Sequence, residues 1–564
     1  MLPVKLDGIM EELTIRNLIT NSRNNFGERK ALSFSDSEGL SYNQLHSGVL
    51  NLALKLHNLG IKKGDKVAIL SVNSPNWGVS YLATAYLGAI TVPILNDFSK
   101  KEIGNILEHS EAKVLFVSES LKPKIDNKYL FLKYVFDIDS FSIDKSISPL
   151  SEPESGIERI PDSIVAHAEG QFDSYSEDDL ATIIYTSGTT GSSKGVMLTH
   201  KNLISNINST FHLQKVVPQD RFLSLLPLPH SYECTVGFLM PLQYGASINY
   251  LHGLPTPGIL LPALEKVKPT IMLSVPLIIE KIYKSKILPA FSKGIAKKLY
   301  SFPLTRILLN RLAGRKLIKT FGGKLHFFGI GGALLDPAVE RFLIEAKFPY
   351  AIGYGLTETS PLLAGASPRT VKYRSTGFSP PGQQLKLINV NPKTGEGEVV
   401  ARGDNIMKGY FKDEEKTREC FTDDGWFRTG DLGFMNKKNR LYIRGRLKNI
   451  IVRATGENIY PEAIESVINN HKLVLESIVY ELKGKLVAKV HLDYEEIERM
   501  FKNLVETASD MQHDMQTHVR NVLEEIRVRV NSELSSFSRL ALIVEQSDPF
   551  QKTPTFKIKR YLYI

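Results

Sequence analysis

Between Ile183 and His200 the chain reads IIYTSGTTGSSKGVMLTH. A Gly/Ser/Thr tract is ordinarily a flexible linker. Here it is enclosed by the apolar runs ATIIY and GVMLTH, which predict a strand entering a loop held inside a folded domain. Gly188 and Gly191 permit backbone conformations and close approaches that other residues resist. Hydroxyls and backbone N–H groups of such a loop can wrap phosphate oxygens, and Lys194 adds a point charge. The loop is not a Walker A motif, because no second glycine stands at the required interval and Gly195 follows Lys194 where Ser or Thr is needed. P-loop kinases and ATPases are thereby disfavoured.

Working outward, strand-like and helix-like patterns alternate. SYNQLHSGVLNLALKLHNLG has helical spacing and stops at Gly60, KVAIL reads as a buried strand, and WGVSYLATAYLGAITVPI reads as a helix followed by a strand. AKVLFVS, TIMLSV, KLHFFGIGG and YAIGYG continue the series. Such alternation predicts mainly parallel sheets with helices on their faces. Past about Gly377 the segment GQQLKLINVNPKTGEGEVVARG has short strands and tight turns, as in a small antiparallel barrel. From about Gly445 a second globular unit begins, with the strands of ESIVYELKGKLVAKVHL and a charge-rich helical stretch from about Tyr494 to Leu534.

With 564 residues, 42 % of them hydrophobic, the chain can form more than one domain. Its two cysteines, Cys234 and Cys420, make no disulfide framework and fit a reducing compartment, with the cytoplasm as the expected location. The opening MLPVKLDGIMEEL lacks the pattern of a secretory signal, and no run approaches ~18 uninterrupted apolar residues. A formal charge of +10 favours anionic partners, although solubility alone explains it as well. No nucleic-acid partner is expected. From Lys281 to Lys319 there are eleven Lys/Arg and no Asp or Glu, with Phe291, Ile295 and Leu299 at four-residue spacing. This stretch reads equally as the solvated face of core-packed helices or as a peripheral contact with an anionic membrane.

Six further motifs follow the loop. LPLPHSYE carries His230, GIGGALLDP carries Gly331, Gly332 and Ala333, and GYGLTETSP carries Gly353, Tyr354, Gly355, Thr357 and Glu358. DGWFRTGDLG carries Asp431, GRLKNIIVRATGENIYPEAIES carries Arg446, Lys448 and Gly456, and KTPTFKIKR carries Lys557. Each alone has a plain structural explanation, as a turn, a cap or a surface charge. In this order they resemble the acyl-adenylate-forming superfamily of acyl-CoA synthetases, firefly luciferase and nonribosomal peptide adenylation domains. The superfamily loop is usually T-S-G-T-T-G-x-P-K-G-V; Ser193 here replaces its proline. Lys448 stands where many members have Asp, and Phe556 where many have Gly.

The resemblance implies an α/β chain. Its large N-terminal domain, 1–445, would contain parallel sheets with flanking helices plus a β-barrel at about 378–445. A smaller mobile α+β domain, 446–564, would follow. The resemblance further implies that an acid attacks the α-phosphate of ATP, giving an acyl-AMP and pyrophosphate, and that coenzyme A then takes the acyl group. It assigns nucleotide contacts to Thr186, Ser187, Gly188, Thr189, Thr190, Gly191, Lys194, Gly332, Ala333, Gly353, Tyr354, Gly355, Thr357, Asp431, Arg446, Lys448 and Lys557. Mg²⁺ would be held by Thr186 and Glu358. Lys557, Glu358, Thr357 and His230 would act at the reacting groups, and Gly456 would line the thiol path. His230 reads also as a satisfied core histidine. HSYECTVGFLMPLQYGASINYLHG and NSELSSFSRLALIVEQSDPFQKTPTFKIKR resemble long-chain fatty acid–CoA ligases. Gly237, Gly245 and Ala246 could leave a tunnel, or could serve core packing. Transfer to an acyl carrier protein and activation of another hydrophobic acid stay open as alternatives, as does the oligomeric state.

Overall fold

A computed structural model describes residues 12–126, 129–144, 146–148, 150, 172–187, 193–292, 294–452, 458–502, 511–552 and 558–564. The strands of the first half are β1 (Lys30–Phe34), β2 (Leu40–Ser41), β3 (Lys66–Leu70), β4 (Ile90–Pro93), β5 (Ala112–Val117), β6 (Tyr134–Asp137), β7 (Leu180–Ser187), β8 (Ser193–Thr199), β9 (Arg221–Leu223), β10 (Ser247–Tyr250) and β11 (Ile271–Ser274). Those that follow are β12 (Phe327–Ile330), β13 (Tyr350–Gly355), β14 (Leu362–Gly365), β15 (Gln383–Ile388), β16 (Gly397–Gly403), β17 (Gly409–Tyr410), β18 (Phe427–Met435) and β19 (Leu441–Arg446). An eight-stranded sheet runs β14-β13-β12-β11-β9-β10-β1-β2, and a seven-stranded sheet runs β17-β8-β7-β4-β3-β5-β6. Both are parallel through their middles and antiparallel at edges: β13 with β14, β1 with β2, β7 with β8, and β8 with β17. Beyond Gly377, β15, β16, β18 and β19 form a four-stranded sheet.

The helix expected after KVAIL explains how the first two sheets share a core. Helices α1 (Tyr42–Asn58) and α2 (Pro75–Leu87) start on serine caps: Ser41 accepts from the Gln44 N–H, and Ser74 from the Trp77 N–H. Gly88, at φ 83°, ends α2 in the left-handed conformation that glycine adopts freely. No residue of α2 is charged, and all from Trp77 to Leu87 are buried. Such a helix must be covered all round. It touches β1 of the eight-stranded sheet and β3 and β4 of the seven-stranded one. A Cβ on Gly78 would lie 2.9 Å from both Leu32 Cδ1 and Phe238 Cε2, so a larger residue there would push one of these side chains aside.

By compactness the chain divides into two units. One comprises Met1–Lys386, Val400–Thr429 and Asn436–Leu441; the other comprises Leu387–Val399, Gly430–Met435 and Tyr442–Ile564. The second unit has its own core. Strands β20 (Ile451–Val452) and β21 (Asn458–Ile459) pair, as do β22 (Val474–Leu482) and β23 (Lys485–Leu492), with β24 (Leu542–Glu545) parallel to β23. Ile464, Ile468, Val479, Leu486 and Ile526 are among its buried side chains. The stretch expected to be helical from about Tyr494 contains helices at Tyr494–Lys502 and Met511–Glu533.

The basic stretch departs from regular core packing. Three further helices matter here: α3 (His200–Leu213), α4 (Gly294–Ser301) and α5 (Pro303–Thr320). Phe291 stacks on Tyr300 with centroids 4.8 Å apart, but Ile295 and Leu299 are exposed, so the four-residue spacing does not mark one buried face. The chain turns at Phe291 and again at Phe302, which interrupts the pattern.

One carboxyl group is buried in the shared core. Glu233 is 1 % exposed; Ser224 Oγ donates to its Oε1 at 2.5 Å. Burial pushes its pKa up to about 8, with the Ser224 bond opposing. The folded state therefore holds a proton that an unfolded glutamate, ordinarily near 4.3, releases. The stability this protonation gives is complete below the unfolded pKa and is lost as pH rises through about 8. Unfolding free energies measured by denaturant titration from pH 5 to pH 8 should fall more steeply for the natural chain than for Glu233→Gln, by up to ~1.4 kcal/mol per pH unit. Parallel curves for the two proteins would show that this carboxyl is not held neutral.

Candidate active site

The opening stretch forms an antiparallel pair. β7 and β8 are in register with Thr186 opposite Lys194 and Ser187 opposite Ser193. Gly188, Thr189, Thr190 and Gly191, between these strands, lie outside the described residues, as do Gly456 and Lys557. The pair fixes where the loop leaves and re-enters the sheet, and sets Thr186 and Lys194 side by side.

A neighbouring segment closes over this pair. β17 adds to β8 with Tyr410 opposite Val196, and the Phe411 N–H donates to the Gly195 carbonyl at 2.8 Å. Lys194 Nζ sits over the Tyr410 ring, 4.9 Å from its centroid, a cation–π contact. Tyr410 Oη donates to Glu358 Oε1 at 2.8 Å. The Met407 N–H donates to the Glu358 carbonyl at 2.9 Å, so the 406–411 segment grips Glu358 by side chain and backbone. Burial, then the nearby Glu358 carboxylate, hold the Tyr410 phenol far above its ordinary pKa, so it remains a donor at any working pH.

Glu358 lies in the short turn Thr357–Thr359 that follows β13. Gly355 begins this turn because a Cβ there would lie 1.8 Å from the Pro361 carbonyl oxygen. Two buried asparagines fix the turn from below. Asn206 of α3 donates to the Leu362 carbonyl at 2.8 Å, and Asn405 to the Thr359 carbonyl at 2.8 Å. Asn202, one turn earlier on α3, donates to the Asp404 and Ile406 carbonyls at 2.7 and 2.9 Å, tying in the segment that carries Tyr410. Sequence reasoning missed Tyr410 and all three asparagines. Asparagines at i and i+4 on a helix otherwise rich in apolar residues were the available signal.

His230 is placed by a different bracket. Asn73 donates to the Leu226 carbonyl at 2.7 Å and accepts from the Leu228 N–H at 2.9 Å, shaping the LPLP turn. The His230 Nδ1 accepts from the Tyr232 N–H at 3.3 Å. The next residue, Ser231, reaches the Thr357 hydroxyl at 3.5 Å, so the His230 turn lies beside the Glu358 turn. Gly332, with φ 87°, adopts the left-handed conformation just beyond β12, and its neighbour Gly331 donates to the Ser274 carbonyl. Ala333 follows in the same turn, while Gly353 and Tyr354 pair across to Gly365 and Ala364 of β14. The structure thus gathers Thr186, Lys194, Thr357, Glu358 and the His230 turn at the ends of strands, where open α/β sheets present their ligand sites.

Of the two readings open for Gly237, Gly245 and Ala246, tunnel or core packing, their surroundings favour packing. A Cβ on Gly237 would meet Glu233 Cδ at 2.6 Å, one on Gly245 would meet the Phe26 ring at 2.6 Å, and Ala246 is fully buried.

In the other compact unit, Arg446 Nε bonds Asp431 Oδ1 at 3.0 Å, and Asp431 is buried. Lys448 occupies the short turn Leu447–Asn449. The residues after Lys557 are anchored by Arg560, which donates to both carboxylate oxygens of buried Glu465 and, at 3.2 Å, to the Val479 carbonyl. Burial raises the Glu465 carboxyl to about 7 against the lowering effect of Arg560.

Residues 19–411 match the AMP-binding enzyme family. The chain belongs to that family. Among curated relatives, this AMP-binding enzyme is 30 % identical to fatty acyl-CoA synthetase A of Dictyostelium discoideum, covering 93 % of this chain and 84 % of that one. It is also 30 % identical to the long-chain-fatty-acid–CoA ligase FadD15 of Mycobacterium bovis, over 90 % and 87 % of the two chains. A chloroplastic long-chain-fatty-acid–[acyl-carrier-protein] ligase of Arabidopsis thaliana is 29 % identical over 96 % and 84 %. The fold of this AMP-binding enzyme matches an anthranilate CoA ligase solved with anthranoyl-AMP, with TM-score 0.75, 19 % identity and coverage of 99 % and 98 %. It also matches the Bacillus subtilis o-succinylbenzoate CoA synthetase solved with ATP and magnesium, with TM-score 0.71, 21 % identity and coverage of 96 % and 98 %.

Tyr410→Phe tests the grip on Glu358. The variant keeps the ring under Lys194 but removes the donor. Its thermal midpoint should stay within a few degrees of the natural chain, while ATP–pyrophosphate exchange falls about tenfold, the worth of one charge-assisted hydrogen bond. Exchange at the natural rate would show that Glu358 needs no donor from Tyr410.

Proposed function

We propose that this AMP-binding enzyme is a ligase that activates a long-chain fatty acid with ATP and transfers the acyl group to coenzyme A. The observation that carries this reading is near full-length similarity to relatives named as fatty acyl-CoA synthetases. It is supported by the placing of Thr186 and Lys194 beside the turn that holds Glu358.

In the first step a carboxylate oxygen attacks the α-phosphorus. A C–O–P linkage forms, the bond from α-phosphorus to the bridging oxygen breaks, and pyrophosphate leaves. In the second step the thiol sulfur attacks the acyl carbon, its proton is lost, a thioester forms, and AMP leaves. Thr186 and Glu358 offer hard oxygen donors, the kind Mg²⁺ takes while keeping waters and substrate phosphates as its other ligands. Magnesium, when bound, neutralises charge on the phosphate oxygens. Lys194 and the loop 186–194 hold the departing phosphates. Tyr410 keeps Glu358 pointed by donating to one of its oxygens.

The remaining assignments complete the same reading. Gly332, Ala333, Gly353 and Gly355 shape the nucleotide site, and Tyr354 stacks on adenine. Asp431, oriented by Arg446, accepts from the ribose hydroxyls. His230 and Thr357 contact the acyl carboxylate. Lys557 stabilises charge building on the α-phosphate during adenylation. The body 446–564 then turns about Lys448 and brings Gly456 to the thiol path. The enzyme works in the cytoplasm. The similarity to a carrier-protein ligase supports a second reading, in which the acceptor is an acyl carrier protein.

ATP–pyrophosphate exchange across a panel of acids tests the first step, with strongest stimulation expected from long-chain acids; stimulation only by aryl or short acids would overturn the substrate class. Product analysis with CoA or carrier protein then separates the acceptors. Glu358→Gln should reduce exchange at least ~100-fold while the protein stays folded. Lys557→Ala should lose exchange to the same degree yet still convert supplied acyl-AMP and CoA, whereas Gly456→Leu should do the reverse. Equal loss of both half-reactions in both folded variants would exclude an alternating C-terminal body.

A further inference from the structure

Among the described residues, helix α5 carries two opposed faces. Its inner face is fixed. Arg306 donates to Glu345 at 3.0 and 2.8 Å, Asn310 donates to the same carboxylate at 2.8 Å, and Leu317 is buried. Glu345 ends helix α6 (Pro337–Glu345), and a Cβ on Gly314 would lie 2.5 Å from the Ala346 carbonyl oxygen, so the two helices cross at contact. At 100° per residue, these inner positions cluster on one side of the helix.

The other side is apolar and basic together. Leu304, Leu308 and Leu312 are 84 %, 59 % and 52 % exposed. Arg311, Arg315 and Lys319 are exposed between and beyond them. All six fall within an arc of about 100° and run about 22 Å along the helix. The preceding turn adds Phe302, 63 % exposed, and α4 adds Ile295, 77 % exposed, beside Lys297 and Lys298. Water alone does not favour three large leucines in a row on a helix whose opposite face already provides its packing. A second copy of the chain is a poor occupant, because it would bring the same positive charge to the contact, with no acidic residue between positions 281 and 319 to answer it.

We propose that this face of α5, with the Phe302 turn and α4, docks onto the surface of an anionic lipid bilayer. The leucines enter the boundary between headgroups and acyl chains, while the Arg and Lys stems lie along it with their charges at the lipid phosphates. The helix lies on the bilayer rather than across it, since no helix of the described residues is long and apolar enough to span one. The advantage of such a surface rests on the proposed long-chain acyl substrate, which partitions into bilayers. The surface itself is argued from exposure and charge.

The test is co-sedimentation of the full chain with vesicles of 70 % phosphatidylcholine and 30 % phosphatidylglycerol, alongside pure phosphatidylcholine vesicles. The natural chain should bind the anionic vesicles, and binding should fall at least tenfold between 0.1 and 0.5 M salt, where screening is stronger. Arg311→Glu/Arg315→Glu/Lys319→Glu should lose on the order of a hundredfold, about fivefold per basic residue removed. Leu304→Ser/Leu308→Ser/Leu312→Ser should lose at least tenfold, with Leu308→Glu alone as the milder variant if the triple one does not fold. Thermal midpoints should remain within a few degrees of the natural chain, and turnover of a short, water-soluble acid within twofold, in each folded variant. Vesicle binding is read without catalysis, so failure of the proposed reaction leaves this test intact. Equal binding by natural and variant chains, or none by the natural chain, would overturn the proposal. So would a dimer in sedimentation equilibrium that the leucine variant abolishes while vesicles are ignored, and so would binding that needs the basic residues but not the leucines.

Discussion

An uncharged helix with no side to turn toward water constrains most of the larger unit. From Trp77 to Leu87 every residue of α2 is buried, so apolar surface must meet it on all sides. Strands of two different sheets supply that cover. At Gly78 the fit is close enough that a Cβ would press on Leu32 of one sheet and on Phe238 beyond it. The two sheets are therefore held at one separation and orientation, since interiors at crystal-like density do not slide. The strand ends that bear Thr186, Lys194 and Glu358 inherit that fixed relation.

The site uses polar bonds where the core uses packing. Backbone carbonyls in the Glu358 turn would be costly to bury without donors. Asn206 and Asn405 supply them, and Asn202 does the same for the segment carrying Tyr410. A side-chain amide that donates to two carbonyls fixes both direction and distance, which an apolar contact does not. Glu358 is then gripped through its backbone by Met407 and through its side chain by Tyr410. One hydrogen bond to one of its oxygens holds the Glu358 carboxylate in direction while leaving its other oxygen able to accept further bonds.

Charge in this chain is divided by burial. Among the buried carboxyl groups of the described residues, Glu233 is made neutral by its surroundings and Glu465 is matched by Arg560. Outside, the excess of base collects on the helices between positions 281 and 319, among leucines that the fold leaves uncovered. Packing of α5 against α6 through Gly314 and Glu345 turns that mixed face outward.

The sequence by itself determined the parallel α/β plan, the helix that stops at Gly60, the helix and strand that follow KVAIL, and the strand that runs into the Gly/Ser/Thr tract, because caps, glycines and hydrophobic periods act over a few residues. Motif order singled out Thr186, Lys194, Thr357, Glu358, Asp431 and Arg446 as candidates without any geometry. Only the tertiary structure decided what holds them. Tyr410 meets Glu358 across 52 positions of chain, and Asn206 meets Leu362 across 156. The same holds for small residues: Gly237 and Gly245, legible as tunnel or core, are set by a glutamate and a phenylalanine ring. It holds too for the basic stretch, where the spacing of Phe291, Ile295 and Leu299 left a core-packed helix and a surface contact equally open and the fold exposes Ile295 and Leu299. Periodicity records which side of a helix differs from the other, but which side meets the core depends on partners brought up by the rest of the chain, and those contacts leave no local trace.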